Sequence, residues 1–210
     1  MRPRALPPEE EIRALVRKVV TAIAGDSAAG SADPSPSPSP TETASPAAPI
    51  PSAGGGIAIG SDHGGFRLKE RLAFRLREQG WEVHDCGTDS TEAADYPEFA
   101  HEVAGRVASG ESEWGIVVDG AGIGSSMVAN KVPGVRAALC YDLSSAANSR
   151  EHNHANVLTL GAGLVGESLA WQIVQTWLGT PWSEGRHARR VAMIDEVDRR
   201  YRAVSTREQG

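Results

Sequence analysis

From residue 56 onward the chain alternates short apolar runs with stretches whose apolar residues recur at helical spacing. The runs are IAIGSD (57–62), WEVHDC (81–86), WGIVVD (114–119), VRAALC (135–140) and NVLTLG (156–161). Between them the pattern predicts helices over 64–79, 95–109, 124–131, 143–151 and 164–178, and a charged helix over 188–203 closes the chain. Five strands separated by helices predict an α/β domain, a mostly parallel sheet covered on both faces. In such sheets a ligand sits beyond the carboxyl ends of the strands, near a switch in strand order. The residues that follow each run are therefore the ones to inspect.

Before residue 56 the pattern is different. Ile12, Leu15, Val16, Val19, Val20 and Ile23 form one apolar stripe, which predicts a single short helix over 7–25. Pro8 suits its first turn, Glu9, Glu10 and Glu11 complement its positive end, and Gly25 stops it. A helix this short is marginal alone in water, so the stripe needs a surface to cover it. Ten of the 13 prolines fall in residues 1–51, whereas only two of the 23 glycines precede Gly54. Residues 26–55 are accordingly a Pro/Ser/Ala-rich linker with too little apolar surface for a core. Such a linker spans roughly 30 Å as a flexible coil and up to about 90 Å as polyproline II, so the helix is able to act away from the domain. The organisation expected is a helix over 1–25, a linker over 26–55 and one globular domain over 56–210. The helix either packs at home or on a sister subunit, or docks on another protein.

Charge narrows the classes of partner. Residues 1–55 carry five basic and six acidic side chains, the remainder sixteen and twenty-one, and the sequence pI is about 5.5. That balance, without a basic stretch, argues against duplex DNA and anionic membranes as partners. No apolar run is long enough to span a bilayer, and Arg13, Arg17 and Lys18 interrupt the N-terminal apolar residues as no secretory signal would. Cys86 and Cys140 lie too far apart in sequence for a metal-spaced pair, which suits a reducing cytosol.

Candidate chemistry follows the runs. Ser61, Asp62 and His63 precede two glycines and a helix. Asp119 ends the third run and enters DGAGIGSS, where Gly120, Gly122 and Gly124 let backbone N–H groups converge on an anion at a helix N-terminus. The loop lacks the GK[ST] of a P-loop, and Ser125 stands where a dinucleotide fingerprint needs its third glycine. His152, Asn153, His154 and Asn156 precede the fifth run. Arg186 and Arg190 sit four apart on one helix face, a spacing that suits two guanidinium groups on one phosphate. Together these side chains suit proton transfer on a phosphorylated sugar. Cys140, Trp171 and Trp177 read as core or interface, His154 and His187 as structural or rim histidines, and Arg199, Arg200 and Arg202 as a salt-bridged solvent face.

The stretches IAIGSDHGGF, DYPEFA, GAGIGSSMVANK, GVRAAL, SREHNHANVL and GRHARRV, in that order over about 56–202, resemble the type B ribose-5-phosphate isomerase family, which includes the galactose-6-phosphate isomerase subunits. The resemblance implies a Rossmann-like three-layer domain, a homodimer with sites at the subunit interface, often paired into tetramers, and no metal or organic cofactor. It implies interconversion of an aldose phosphate with its ketose through a cis-enediolate. Carried over by residue, Asp62 contacts sugar hydroxyls, His63, Arg186 and Arg190 hold the phosphate, and His152 assists ring opening. Asn153 contacts the sugar, Tyr96 lines the pocket, and the N–H groups of Gly120, Ala121, Gly122, Ile123 and Gly124 hold the enediolate. Two positions depart from the family pattern. Many members have a cysteine base where this chain has Asp119, and others a glutamate where it has Ser125. Asp119 is then either the group that moves the C1/C2 proton, although aspartate is ordinarily a weak base, or a cap on the glycine loop in a protein with altered activity. The second departure is Gly163, where members commonly carry an arginine near the substrate. The expected substrate is ribose 5-phosphate, with a tetrose or hexose phosphate as variants. The alternative class is a catalytically altered sugar-phosphate-binding or scaffold protein. The N-terminal region resembles the encapsulation peptides that target enzymes into bacterial microcompartments, which implies a shell-protein partner and a place inside such a compartment in the bacterial cytoplasm.

Overall fold

The computed structural model describes residues 55–207, with side chains to residue 201, together with Glu10 and Ala14. Glu10 and Ala14 are helical; the rest of the helix and linker expected over 1–54 lies outside the described residues.

Five strands form one parallel sheet: β1 (Ile57–Ser61), β2 (Val83–Asp85), β3 (Trp114–Asp119), β4 (Ala137–Leu139) and β5 (Val157–Gly161). Between and after them run α1 (Phe66–Glu78), α2 (Tyr96–Ser109), α3 (Ile123–Ala129), α4 (Leu143–Glu151), α5 (Glu167–Gly179) and α6 (Gly185–Arg207). The strand order is β2-β1-β3-β5-β4. The chain leaves β1 towards β2 and then returns to build on the other side, so the switch point lies between β1 and β3.

Alternation along the central strands makes two cores. Ile57, Ile59, Ile116, Val118, Leu158 and Leu160 face one way, against Leu72 and Leu76 of α1, Ala146 of α4, and Ile173, Val174 and Trp177 of α5. Ala58, Val117 and Val157 face the other way, against Ala100, Val103 and Ala104 of α2 and Ala129 of α3. Both faces being covered explains why these strands read as continuous apolar runs. Each fully buried Leu or Ile stabilises the fold by about 1.5–3 kcal/mol.

The edge strands are shorter than their runs. β2 keeps three residues of the run 81–86 and β4 three of 135–140, because each pairs with one neighbour only. Trp81 still reaches the core, at 6% exposure, and the Glu82 carbonyl accepts the N–H of Ile57. Past β2 the chain is held by Lys69 of α1, buried to 2% exposure, whose ammonium lies 2.6 Å from Asp85 and donates to the Thr88 carbonyl at 3.1 Å. That anchor fixes where the segment leading to Tyr96 begins. α6 starts at Gly185, earlier than the pattern predicted, and so takes Arg186 into its first turn. No described helix is long and apolar enough to cross a membrane.

Candidate active site

The first group of predicted residues gathers at the carboxyl edge of the sheet. β1 and β3 pair with Ser61 opposite Val118, so Asp62 and Asp119 leave neighbouring strands side by side. Asp62 is 9% exposed, and one of its oxygens accepts the N–H of Gly65 at 2.9 Å, at the start of α1. His63 is turned by Ala94, whose N–H and carbonyl both lie 3.2 Å from Nδ1, which leaves Nε2 for a ligand. Tyr96 opens α2 and lies across the glycine loop: its ring carbons and hydroxyl stand 2.5–2.7 Å from the point where a Cβ on Gly124 would be. Only a glycine at 124 lets the ring rest there.

Asp119 is 5% exposed and fully engaged. One carboxylate oxygen accepts the N–H groups of Ala121, at 2.8 Å, and Gly122; the other accepts the N–H of Ser125 at 3.1 Å and its hydroxyl. The side chain thus ties the loop to the first turn of α3, with Gly122 in the left-handed region at φ 78°. The loop is braced from outside as well. Ala162 and Gly163 donate to the carbonyls of Asp119 and Gly120 at 2.8 and 3.0 Å, and the Tyr141 hydroxyl donates to the Ala121 carbonyl at 2.9 Å. Of the five N–H groups expected to face an anion, those of Ala121 and Gly122 are therefore spent on Asp119. Those of Gly120, Ile123 and Gly124 have no hydrogen-bond partner among the described residues.

The second group lies at the opposite edge. α4 returns antiparallel to the strands, and β5 starts at Val157, paired with Gly115 and Ala137 at the beginnings of β3 and β4. His152 caps α4 and Asn153 follows it, so both stand at the amino edge. The Asn148 side-chain amide lies 2.8 Å from His152 Nδ1, and the His152 ring stacks on His187 at 4.1 Å between centroids. Ser183 donates to the Glu151 carbonyl at 3.1 Å, which brings the start of α6, with Arg186 and Arg190, beside His152. Both arginines are exposed, and neither has a carboxylate partner among the described residues. His187 is pushed towards its neutral form, first by burial and then by His152, Arg186 and Arg190. Beneath this edge Arg150 lies 4.1 Å from the Trp114 ring centroid and 5.3 Å from that of Trp177, and donates to the Ala155 carbonyl at 2.6 Å. Burial lowers its pKa to about 10, so it stays charged.

One chain does not bring the two groups together. A five-residue strand is about 17 Å long, farther than a five-carbon sugar phosphate reaches. The carboxyl edge supplies carboxylates and peptide N–H groups, and the amino edge supplies arginines and histidine. The bracing residue Tyr141 was missed from sequence, although it directly follows the fourth run. In the sequence Ser125 stands out only for the residue it replaces. Gly163 brings no charge to the loop it touches. A cavity of about 720 Å³ between α1 and the start of α5, lined by Phe66, Leu68, Phe74 and Val165 among others, contains none of the predicted site residues.

Comparison with known proteins agrees with the fold and with the ordered motifs. Residues 57–194 match the Ribose/Galactose Isomerase family. The chain is 47% identical over 144 residues to ribose-5-phosphate isomerase B of Escherichia coli (strain K12), covering 69% of this chain and 97% of that protein. The structure of ribose-5-phosphate isomerase B from Clostridium thermocellum superposes with a TM-score of 0.68 at 52% identity, over 69% of this chain and 98% of that one. A structure of ribose-5-phosphate isomerase B from Mycoplasma genitalium with bound ribulose-5-phosphate gives 0.67 at 38% identity, over 69% and 96%. With its switch-point aspartates, its glycine loop and nearly the full length of these relatives covered, the chain belongs to the Ribose/Galactose Isomerase family and is an intramolecular oxidoreductase.

Proposed function

We propose that this protein interconverts ribose 5-phosphate and ribulose 5-phosphate without a cofactor, and that each site is built from two copies of the chain. The division of the candidate groups between opposite edges of one sheet carries this reading. The carboxyl edge of one copy, facing the amino edge of another, unites every predicted residue around one substrate. Arg186 and Arg190 of one copy and His63 of the other then hold the phosphate, a dianion that fork-shaped guanidinium groups suit. His152 hydrogen-bonds the sugar and assists its ring opening, and Asn153 holds a hydroxyl. Tyr96 covers the opened chain. The free N–H groups of Gly120, Ile123 and Gly124 receive the enediolate oxygen, where preorganised donors stabilise developing charge without reorganising. The carboxylate for the C1/C2 proton comes from this same edge, which offers Asp62 and Asp119.

Turnover of a panel of C4, C5 and C6 aldose phosphates tests the reading. Conversion of the C5 substrate above all others is the expected result. A glycine at 163 in place of a cation is the feature that would favour a tetrose or hexose phosphate. The four donors on Asp119 favour a second reading, a protein that binds a sugar phosphate without turning it over; binding with no turnover across the panel would establish it.

Residues 1–25 act, on the same proposal, as a targeting helix for a microcompartment shell protein, supported by the apolar stripe and the long Pro/Ser/Ala linker. Residues 1–55 fused to a fluorescent protein should enter assembled shells. Diffuse fluorescence in cells that contain shells would refute that assignment.

A further inference from the structure

We infer that Asp62 carries the proton between C1 and C2, and that Asp119 is the strut that holds the anion loop in shape. The inference rests on the isomerase reading above. A base needs a lone pair that the substrate can reach. Asp119 has none to spare, since each of its oxygens already accepts two hydrogen bonds. To take a proton it would have to release Gly122 or Ser125, and with them the loop that binds the enediolate. Asp62 is differently placed. Its one recorded donor is the Gly65 N–H. Its other oxygen accepts no hydrogen bond among the described residues, and it is not among the side-chain atoms that are both sealed from solvent and partnerless.

Position agrees with availability. The point where a Cβ on Gly64 would stand is 3.4 Å from Asp62 Oδ1, the oxygen that accepts the Gly65 N–H, and 3.7 Å from the Gly120 nitrogen, so the other Asp62 oxygen belongs to a carboxylate at that same space. The carboxylate and an unspent N–H of the anion loop therefore border the same space. That is the arrangement an enediolate needs, with a base at carbon and a donor at oxygen. In the forward direction Asp62 takes the proton from C2. The C2–H electron pair forms the C1=C2 bond, and the carbonyl pair moves onto O1, which the loop N–H groups receive. The O2 proton passes to O1. Asp62 then returns its proton to C1 as the C2 carbonyl forms, so no proton, electron or water is consumed.

The test measures isomerisation and deuterium uptake from ²H₂O in the full chain. Asp62→Asn retains an acceptor for the Gly65 N–H, and it should lose turnover and deuterium uptake by about a thousandfold with KM little changed. Asp119→Asn should raise KM and slow exchange as the loop loosens, and added formate should restore none of the activity of Asp119→Ala. Asp62→Ala should recover activity with added formate, which a residue of purely structural role would not. If both asparagine variants lose exchange, formate decides: rescue of Asp62→Ala alone supports the assignment, and rescue of Asp119→Ala alone overturns it. Wild-type exchange with Asp62→Asn still within tenfold overturns the assignment and leaves the isomerase reading standing. A wild type that exchanges no proton overturns both.

Discussion

The glycine loop allows one substitution, glycine to alanine, to be placed two residues apart with opposite expected outcomes. At Gly122 the backbone is left-handed, with φ at 78°, and a Cβ would stand 2.5 Å from Leu139 Cδ1 and 2.9 Å from the Leu160 carbonyl carbon. The left-handed conformation costs alanine about 1–2 kcal/mol. Overpacking against a strand backbone that cannot give way adds about 1–3 kcal/mol. Together these predict a loss of about 2–5 kcal/mol, or a fall in Tm of about 4–20 °C at roughly 2–4 °C per kcal/mol. At Gly124 the backbone is helical, and the nearest atoms to a Cβ all belong to the Tyr96 ring and hydroxyl, from 2.5 Å away. Tyr96 is 38% exposed and free to swing out. Alanine is also favoured over glycine in a helix by about 0.5–1 kcal/mol. Gly124→Ala should therefore leave Tm unchanged or higher, yet lower kcat/KM about a hundredfold by driving Tyr96 off the loop. Scanning calorimetry and steady-state kinetics on the two variants measure both effects. If Gly124→Ala loses as much Tm as Gly122→Ala, or keeps wild-type kcat/KM, the placement of Tyr96 over the loop is wrong.

Other expectations follow from the same geometry. Tyr141→Phe removes one brace from the Ala121 carbonyl and should cost about 0.5–1.5 kcal/mol, visible as a modest fall in Tm with a larger fall in kcat/KM. Arg186→Lys and Arg190→Lys should each raise KM for the sugar phosphate about tenfold, because an ammonium cannot make two parallel hydrogen bonds to one phosphate; an unchanged KM in both would remove them from the site. His154 is held towards its neutral form, first by burial and then by Arg136 and Arg150, as His187 is by burial and its cationic neighbours. Their folded pKa values lie below the unfolded value of about 6.5, so the stability they contribute is complete above that pH and is lost as pH falls through the folded values. Tm should therefore drop on acidification below about pH 6.5, and His154→Asn with His187→Gln should flatten the drop. Trp177→Ala empties a fully buried position and should cost about 3–5 kcal/mol by denaturant titration.

The layout was largely legible in sequence because a parallel sheet covered on both faces imposes continuous apolar runs. The long central runs became β1, β3 and β5 almost residue for residue. β2 and β4 came out short because a run records how apolar a segment is, while pairing at an edge depends on a single neighbour. Rules about strand ends led to Asp62, His63 and Asp119. They could not show that Asp119 would fill its acceptors with its own loop, since this follows from the left-handed turn at Gly122 that folds Ala121, Gly122 and Ser125 back around it. Nor could spacing place His152 and Arg186 at the far edge. Their place depends on α4 running back along the sheet and on Ser183 donating to the Glu151 carbonyl. Tyr141 was hidden for a different reason: a tyrosine after an edge strand has no signature that separates a brace from a rim residue.

The separation of the two groups along the strands has a consequence for how output scales with amount. If each site takes one edge from each of two copies, a correctly folded chain on its own is inert, and catalytic power rises with the square of concentration until pairing saturates. Dilution would silence the protein without unfolding it. Confinement would do the reverse, since gathering chains into a small volume populates pairs by mass action. A segment that concentrates the chain would then set its specific activity as well as its address.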